Sequence, residues 1–339
     1  MKPGRRLGPT VRARLEQVPG SGRDAGLELA AALTDSAPLP ASGATAERWD
    51  LLAALAVRDL TIARVVEAHL DAVAILAEAR TASQTDVGPG PGSTWGVFAA
   101  EAPDAVLTAT ADGAGWRLNG RKPWCSLAGR LTHALVTAHV DDGRGLFAIS
   151  LRQQGVTVVD GVWQARGLVE VPSGPVDLDD VPAQAVGEPG WYLRRPGFAH
   201  GGIGVAACWY GGAVAVASLL RVAAGRREPD QLALWHLGEN DLDLTTAATM
   251  LEAAAAQVDA GAATGAAGEV LALRTRSVVA AAAERVIARV GHALGPAPLA
   301  LDAEHAARVA DLTLYLRQHH AERDVAALGR MLLADGGPA

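Results

Sequence analysis

Few side chains in this sequence have the types and spacing that do chemistry. His319, His320, Glu322 and Asp324 gather four residues of metal-ligand type within a short run. On a helix, His320 and Asp324 would share a face. A solvated polar face laced with ion pairs explains the run equally well. That reading is preferred, and no metal is expected. Gly202-Ile-Gly204-Val-Ala-Ala207 is a loose GxGxxA. A dinucleotide site of that kind needs a strand just before the first glycine, and the preceding WYLRRPGFAH makes a poor one. Close packing of a glycine-rich buried helix is the better account. The sequence holds no GxSxG, HExxH, CxxC or GxxxxGKS/T. Nucleophile-elbow hydrolysis, zinc chemistry and P-loop phosphate binding therefore lack support.

Composition narrows the field further. Cys125 and Cys208 are the only cysteines, too few for a disulfide framework or a thiolate metal cage. The formal net charge of −7 argues against a nucleic-acid partner, which calls for a basic field. Half of the 339 residues are hydrophobic and 20% are charged, so the chain can build its own core without staples. The basic start MKPGRRLGPTVRARLEQ is followed by no apolar run. No signal peptide is expected, and the expected compartment is the cytoplasm. Residues 196–220 carry no Asp, Glu, Lys or Arg and are long enough to cross a bilayer. Their Gly and Ala content and the amphipathic helices after them point instead to a helix buried on all sides. No membrane partner is expected.

The elements that must position any site come in three blocks, an α+β order. Residues 1–94 read as an N-terminal helical domain. Within it, 47–79 has apolar residues at three-to-four spacing without Pro or Gly, which gives one or two helices. The Gly- and Pro-rich stretch 85–94 is a loop. Residues 95–195 read as a middle β domain. Strands are expected at 105–111, 134–140, 146–151, 156–160 and 175–183. Asp112-Gly113 and Asn119-Gly120 have the chemistry of hairpin turns. No helix-length segment separates the strands, so the sheet should be antiparallel and barrel-like. Residues 196–339 read as a C-terminal helical bundle. Alanine runs at 253–256 and 280–283 let about four helices approach closely, and the final ADGGPA should fray.

Three stretches carry a family resemblance. Residues 95–129 run through a strand and a hairpin ending in NGRK to Trp124-Cys125-Ser126, an aromatic-x-Ser motif. Residues 161–198 contain VDLDDVPA followed by glycines before the last helices. Residues 58–72, RDLTIARVVEAHLDA, read as an N-terminal helix. Together with the helical–strand–helical order, these resemble the acyl-CoA dehydrogenase-like flavoproteins over residues 45–330, as a shortened and divergent member.

The resemblance implies FAD on the face of the middle domain. Trp124 would cover one side of the isoalloxazine. Ser126, two residues on along an extended chain and on the same face, would bond the flavin N5/O4 edge, with Cys125 between them. The backbone from Phe98 through Ala100 to Glu101 would meet the pyrimidine end. Arg289 would turn to the phosphates, with His236 or His292 as alternatives. The implied reaction is α,β-dehydrogenation of an acyl thioester such as an acyl-CoA. A base takes one proton, hydride passes to flavin N5, and an electron-transfer flavoprotein serves as acceptor. A homo-oligomer is implied as well.

The sequence departs from the family at the base. The two positions where the family carries its carboxylate hold His319, eight residues after Asp311, and Gly201. His319 is the candidate base. Leu234 stands where the family has a phosphate-binding Arg, and Ala100 where it has Thr. The alternatives are a flavin-dependent monooxygenase or hydroxylase of the same fold, or a non-catalytic subunit that pairs with an active homologue.

Overall fold

The structure is a computed structural model that describes residues 2–113, 115–226 and 228–334. Four helices open the chain: α1 (Pro9–Gln17), α2 (Gly22–Leu33), α3 (Thr45–Arg58) and α4 (Leu60–Thr81). The first two precede the stretch in which the sequence pattern suggested helices. The expected helical run 47–79 is two helices, divided at Asp59. That residue is extended, and its side chain accepts the Thr61 N–H at 2.7 Å, capping α4. α4 is apolar around most of its circumference. It is buried from Leu60 to Ala79 because helices pack on one side and the sheet on the other.

The middle block holds β1 (Trp95–Phe98), β2 (Leu107–Asp112), β3 (Gly115–Lys122), β4 (His133–Val140), β5 (Gly143–Ser150), β6 (Val156–Val158) and β7 (Val176–Ala185). Among the described residues these form one seven-stranded sheet in which β4, β2, β3, β7 and β5 close a small barrel. β6 joins β7, and β1 joins β4 in parallel. The sheet is thus not antiparallel throughout. Asp112-Gly113 turns the chain as expected, but Asn119-Gly120 does not. β3 runs straight through it with a register shift between Leu118 and Gly120. Gly120 sits at φ +121°, and a Cβ there would lie 2.2 Å from the Val106 carbonyl oxygen. The pair is a β-bulge, and only glycine fits it.

The last block comprises α5 (Trp191–Arg194), α6 (Gly197–Arg226), α7 (Gln231–Asp259), α8 (Gly265–Leu294), α9 (Ala297–Leu301) and α10 (Ala303–Tyr315). A 3-10 turn (Leu316–Gln318) and α11 (Glu322–Ala334) follow. In the expected frayed tail, residues 335–339 lie outside the described residues. α6 is long and apolar enough to cross a membrane, yet 72% of its apolar window is buried against other elements, among them α3, α4 and α8. Gly202 and Gly204 lie inside this helix and not at a strand end. At Gly211 a Cβ would fall 2.2 Å from the Ala53 carbonyl oxygen, so the α3 backbone rests directly on α6.

One buried histidine ties the helical block to the sheet. His69 of α4 accepts the Trp95 N–H on Nδ1 at 3.1 Å and meets the Thr34 hydroxyl through Nε2 at 3.0 Å. Burial lowers its pKa to about 4, and nearby Arg48 adds to the effect. The folded state therefore favours neutral His69, and stability is lost as pH falls from 6.5 through 4. The expected loss is about 3 kcal/mol. Urea unfolding at pH 7 and pH 4.5 should show it. His69→Asn should be less stable at pH 7 but should flatten the acid slope.

Candidate active site

One face of α4 carries Arg64, Glu67, Ala68 and Asp71, spaced so that they stack along two turns. Opposite them stand the end of β1 and the residues after it (Val97, Ala99, Ala100), the loop after β3 (Trp124, Ser126) and the segment before β7 (Leu168, Val171, Ser173). The end of α10 adds Leu314 and Tyr315, and Gln318 and His320 follow it. Together they enclose a cavity of about 460 Å³. A second cavity, of about 750 Å³, lies between α4, α5, α6 and α8, with Gly201, Gly202 and Arg276 in its wall. Glu67, Asp71, Tyr192 and His320 line both, so the two spaces meet there.

Trp124 and Ser126 are not on an extended strand. Trp124 has φ +58°, a left-handed conformation that turns the indole outward. Its side chain is 59% exposed and lines the smaller cavity. Ser126 sits in the following turn. Its Oγ accepts from Arg64 Nη2 at 3.2 Å and lies 2.8 Å from Ser173 Oγ. Ser173 in turn donates to the Val171 carbonyl. The loop that carries Leu168, Val171 and Ser173 is anchored by Asp311, which accepts the Leu168 N–H at 2.5 Å. Burial pushes the Asp311 carboxyl up to about 6.

The charges on α4 are differently provided for. Arg64 pairs with Glu67 at 2.8 Å, and Tyr315 donates its hydroxyl to Glu67 at 3.1 Å. Burial raises the Glu67 pKa against the pull of Arg64. Asp71 has no hydrogen bond or ion pair among the described residues. Burial raises its pKa, while Arg195, Arg48 and Arg64 pull it the other way. Gly201 supplies no carboxylate, but Asp71 Oδ1 lies 2.6 Å from where a Cβ on Gly201 would be.

The other residues singled out in the sequence are placed as follows. Ala100 lines the smaller cavity. The Phe98 side chain is buried in the core. Glu101 points away, paired with Arg144 at 3.2 Å and His139 at 3.3 Å. Cys125 is buried with its thiol toward the Lys122 carbonyl, and burial pushes its pKa up to about 12. Arg289 is far from both cavities in its interactions: on α8 it pairs with Glu239 and Asp243 of α7. His319 lines neither cavity. Its Nε2 meets Ser277 Oγ at 3.0 Å, and its ring packs edge-on to Trp209. The chain is extended at His319, so the next residue, His320, reaches the cavities instead. His320 does not lie on a helix, and it bonds Asp324 through Nδ1 at 3.1 Å. No group of three or more metal-ligating side chains occurs among the described residues.

No protein-family model and no curated protein sequence matches the chain. Solved structures do. Butyryl-CoA dehydrogenase from Megasphaera elsdenii superposes with a TM-score of 0.76 at 18% identity, over 97% of this chain and 94% of that one. A glutaryl-CoA dehydrogenase from Mycobacterium smegmatis in complex with FADH2 gives 0.76 at 17% identity, over 99% and 92%. This chain has the acyl-CoA dehydrogenase fold. KijD3, in complex with FMN and dTDP-3-amino-2,3,6-trideoxy-4-keto-3-methyl-D-glucose, shares that fold, with a TM-score of 0.76 at 19% identity over 98% and 95%. Here the helical blocks flank the barrel, and the smaller cavity opens where α4 and α10 meet the sheet and its loops.

Sequence reasoning missed Arg64, Glu67, Asp71, Tyr192 and Tyr315. A signal was present for the first three: charged residues at i, i+3 and i+7 in a helix otherwise apolar all round.

Proposed function

We propose that this chain is an FAD-dependent oxidoreductase acting on an acyl thioester. The observation that carries the reading is the indole of Trp124, held outward at positive φ beside Ser126, over a cavity walled by α4 and the 97–100 segment. A planar tricyclic ring fits such a slot, with one aromatic face to lie against and a hydroxyl at its edge. When bound, FAD would supply the hydride acceptor. The residues of this chain do the rest. Trp124 covers the ring and excludes water. Ser126, already held by Arg64 and Ser173, is fixed in one orientation. Arg64 keeps a positive charge beside the ring, which favours electron gain there. Exposed Leu232, Leu234, Trp235 and Leu242 on α7 suit a homo-oligomer.

Titrating FAD into purified protein tests this. A resolved visible flavin spectrum and quenched flavin fluorescence are expected. Trp124→Ala removes an exposed side chain, so the fold should persist while FAD affinity falls about tenfold or more. A protein that leaves the FAD spectrum unchanged has no such site. KijD3, whose complex holds FMN and a nucleotide-linked keto sugar, shows that the fold also accommodates a ligand of another class, and the second reading is a flavin monooxygenase. Oxygen consumption with reduced flavin, without acyl-CoA oxidation, would select it.

A further inference from the structure

We infer that Asp71 is the proton acceptor of this site, taking an α-proton from a thioester seated against Gly201 and Gly202 with its carbonyl oxygen turned to Arg276. The inference rests on the flavin and thioester reading above and names the base that the reading lacks.

The argument starts from what each charged group on the cavity walls already does. Glu67 is held by Arg64 and Tyr315. Asp324 accepts the His320 backbone N–H and its ring nitrogen. Glu269 is exposed to water. Arg195 pairs with Glu78 at 2.8 Å. Asp71 is half-buried and, among the described residues, the one carboxylate on these walls held away from bulk water without a partner. An unpartnered carboxylate in that position is costly to keep unless it has a task. It also sits where the two cavities meet, and so faces both the flavin slot and the larger space.

Space is reserved for it. Gly201 is the fifth residue of α6, past its first turn, where glycine weakens a helix relative to alanine. A Cβ there would stand 2.6 Å from Asp71 Oδ1. Glycine at this position is what lets the carboxylate reach the cavity wall. At the next residue, Arg276 lies 3.7 Å through Nη1 from the Cβ position of Gly202. One small molecule resting on the two glycines can therefore touch both side chains. Among the described residues the Arg276 guanidinium bonds the carbonyls of Gly202 and Gln318 and stacks over Trp209 at 4.8 Å. Asp324 acts on it through its charge but makes no ion pair with it among the described residues, so the guanidinium can still turn to a developing enolate oxygen. Burial makes the Asp71 carboxylate a stronger base than one in water, while Arg195, Arg48 and Arg64 keep its ionised form accessible. In the step, the α C–H bond breaks and its proton goes to Asp71 Oδ1. The electron pair left behind would form the new carbon–carbon double bond, and a bound oxidised flavin would take the β-hydrogen with its pair.

The test uses butyryl-CoA as the probe, in deuterated water, and reads deuterium uptake at its α-carbon by mass spectrometry, with and without FAD. Wild-type protein should catalyse exchange. Asp71→Asn should slow it about a hundredfold or more while the FAD spectrum and thermal midpoint stay unchanged. Asp71→Glu should restore part of the rate. Gly201→Ala, which leaves the carboxylate in place in the sequence but pushes it aside, should cost at least tenfold. Exchange at the wild-type rate in Asp71→Asn or in Gly201→Ala overturns the assignment. So does a wild-type protein that binds FAD and exchanges nothing. Failure of the flavin reading is told apart by the absence of an FAD spectrum in the wild type.

Discussion

Gly211→Ala should cost the fold about 3–5 kcal/mol. The added carbon would lie 2.2 Å from the Ala53 carbonyl oxygen and 2.8 Å from the Ala56 Cβ. The nearest obstacle is backbone, so no rotamer change relieves it. α3 and α6 would have to separate along an interface in which Leu52, Leu55, Ala56, Ala207 and Trp209 are fully or nearly fully buried. The contrast lies on the same helix. Gly225 has nothing within 4 Å of its Cβ position, so Gly225→Ala gains helix propensity, about 0.5–1 kcal/mol. Urea unfolding of the two variants should move in opposite directions. Equal, small effects would mean that α3 and α6 are not in backbone contact.

Arg64→Met should destabilise by about 3–5 kcal/mol and abolish FAD binding. The side chain is buried beside Glu67 and bonded to Ser126. Removing the guanidinium leaves a buried carboxylate with only the Tyr315 hydroxyl, which costs far more than an exposed ion pair is worth. The double variant Arg64→Met/Glu67→Gln removes both charges, while the glutamine still accepts from Tyr315. It should recover most of the stability and none of the FAD affinity, because Ser126 is left with Ser173 alone. Chemical denaturation and FAD titration of the wild type, Arg64→Met, Glu67→Gln and the double variant form a double-mutant cycle. Full additivity would show that Arg64 and Glu67 do not act as a pair.

How far the sequence could be read depends on the range of the forces involved. The three-block order was legible because hydrophobic period and turn chemistry are local properties. The Trp124-Cys125-Ser126 motif was found because its residues are adjacent, although its conformation was not: nothing local says that Trp124 adopts φ +58°. Asn119-Gly120 misled because the same dipeptide suits a turn or a bulge, and pairing of Gly120 with Leu107 across the hairpin decides between them. His319 and Arg289 were chosen by position in the chain. Whether each faces a cavity is decided by Ser277 and Trp209 for one and by Asp243 for the other, all distant in sequence. Asp71 was passed over because its importance lies in lacking partners, and a sequence does not show which contacts are missing.

α4 gives the molecule a mechanical property as well. Within two turns it presents His69, which grips the first strand through Trp95 and the helical block through Thr34, and Glu67 and Asp71, which face the cavities. The same rod is thus bolted to the barrel on one side and carries working side chains on the other. Any rotation about its axis would have to break the imidazole clasp before it could swing a carboxylate. The reach of both carboxylates into the cavities is thereby tied to the same shaft that grips the first strand.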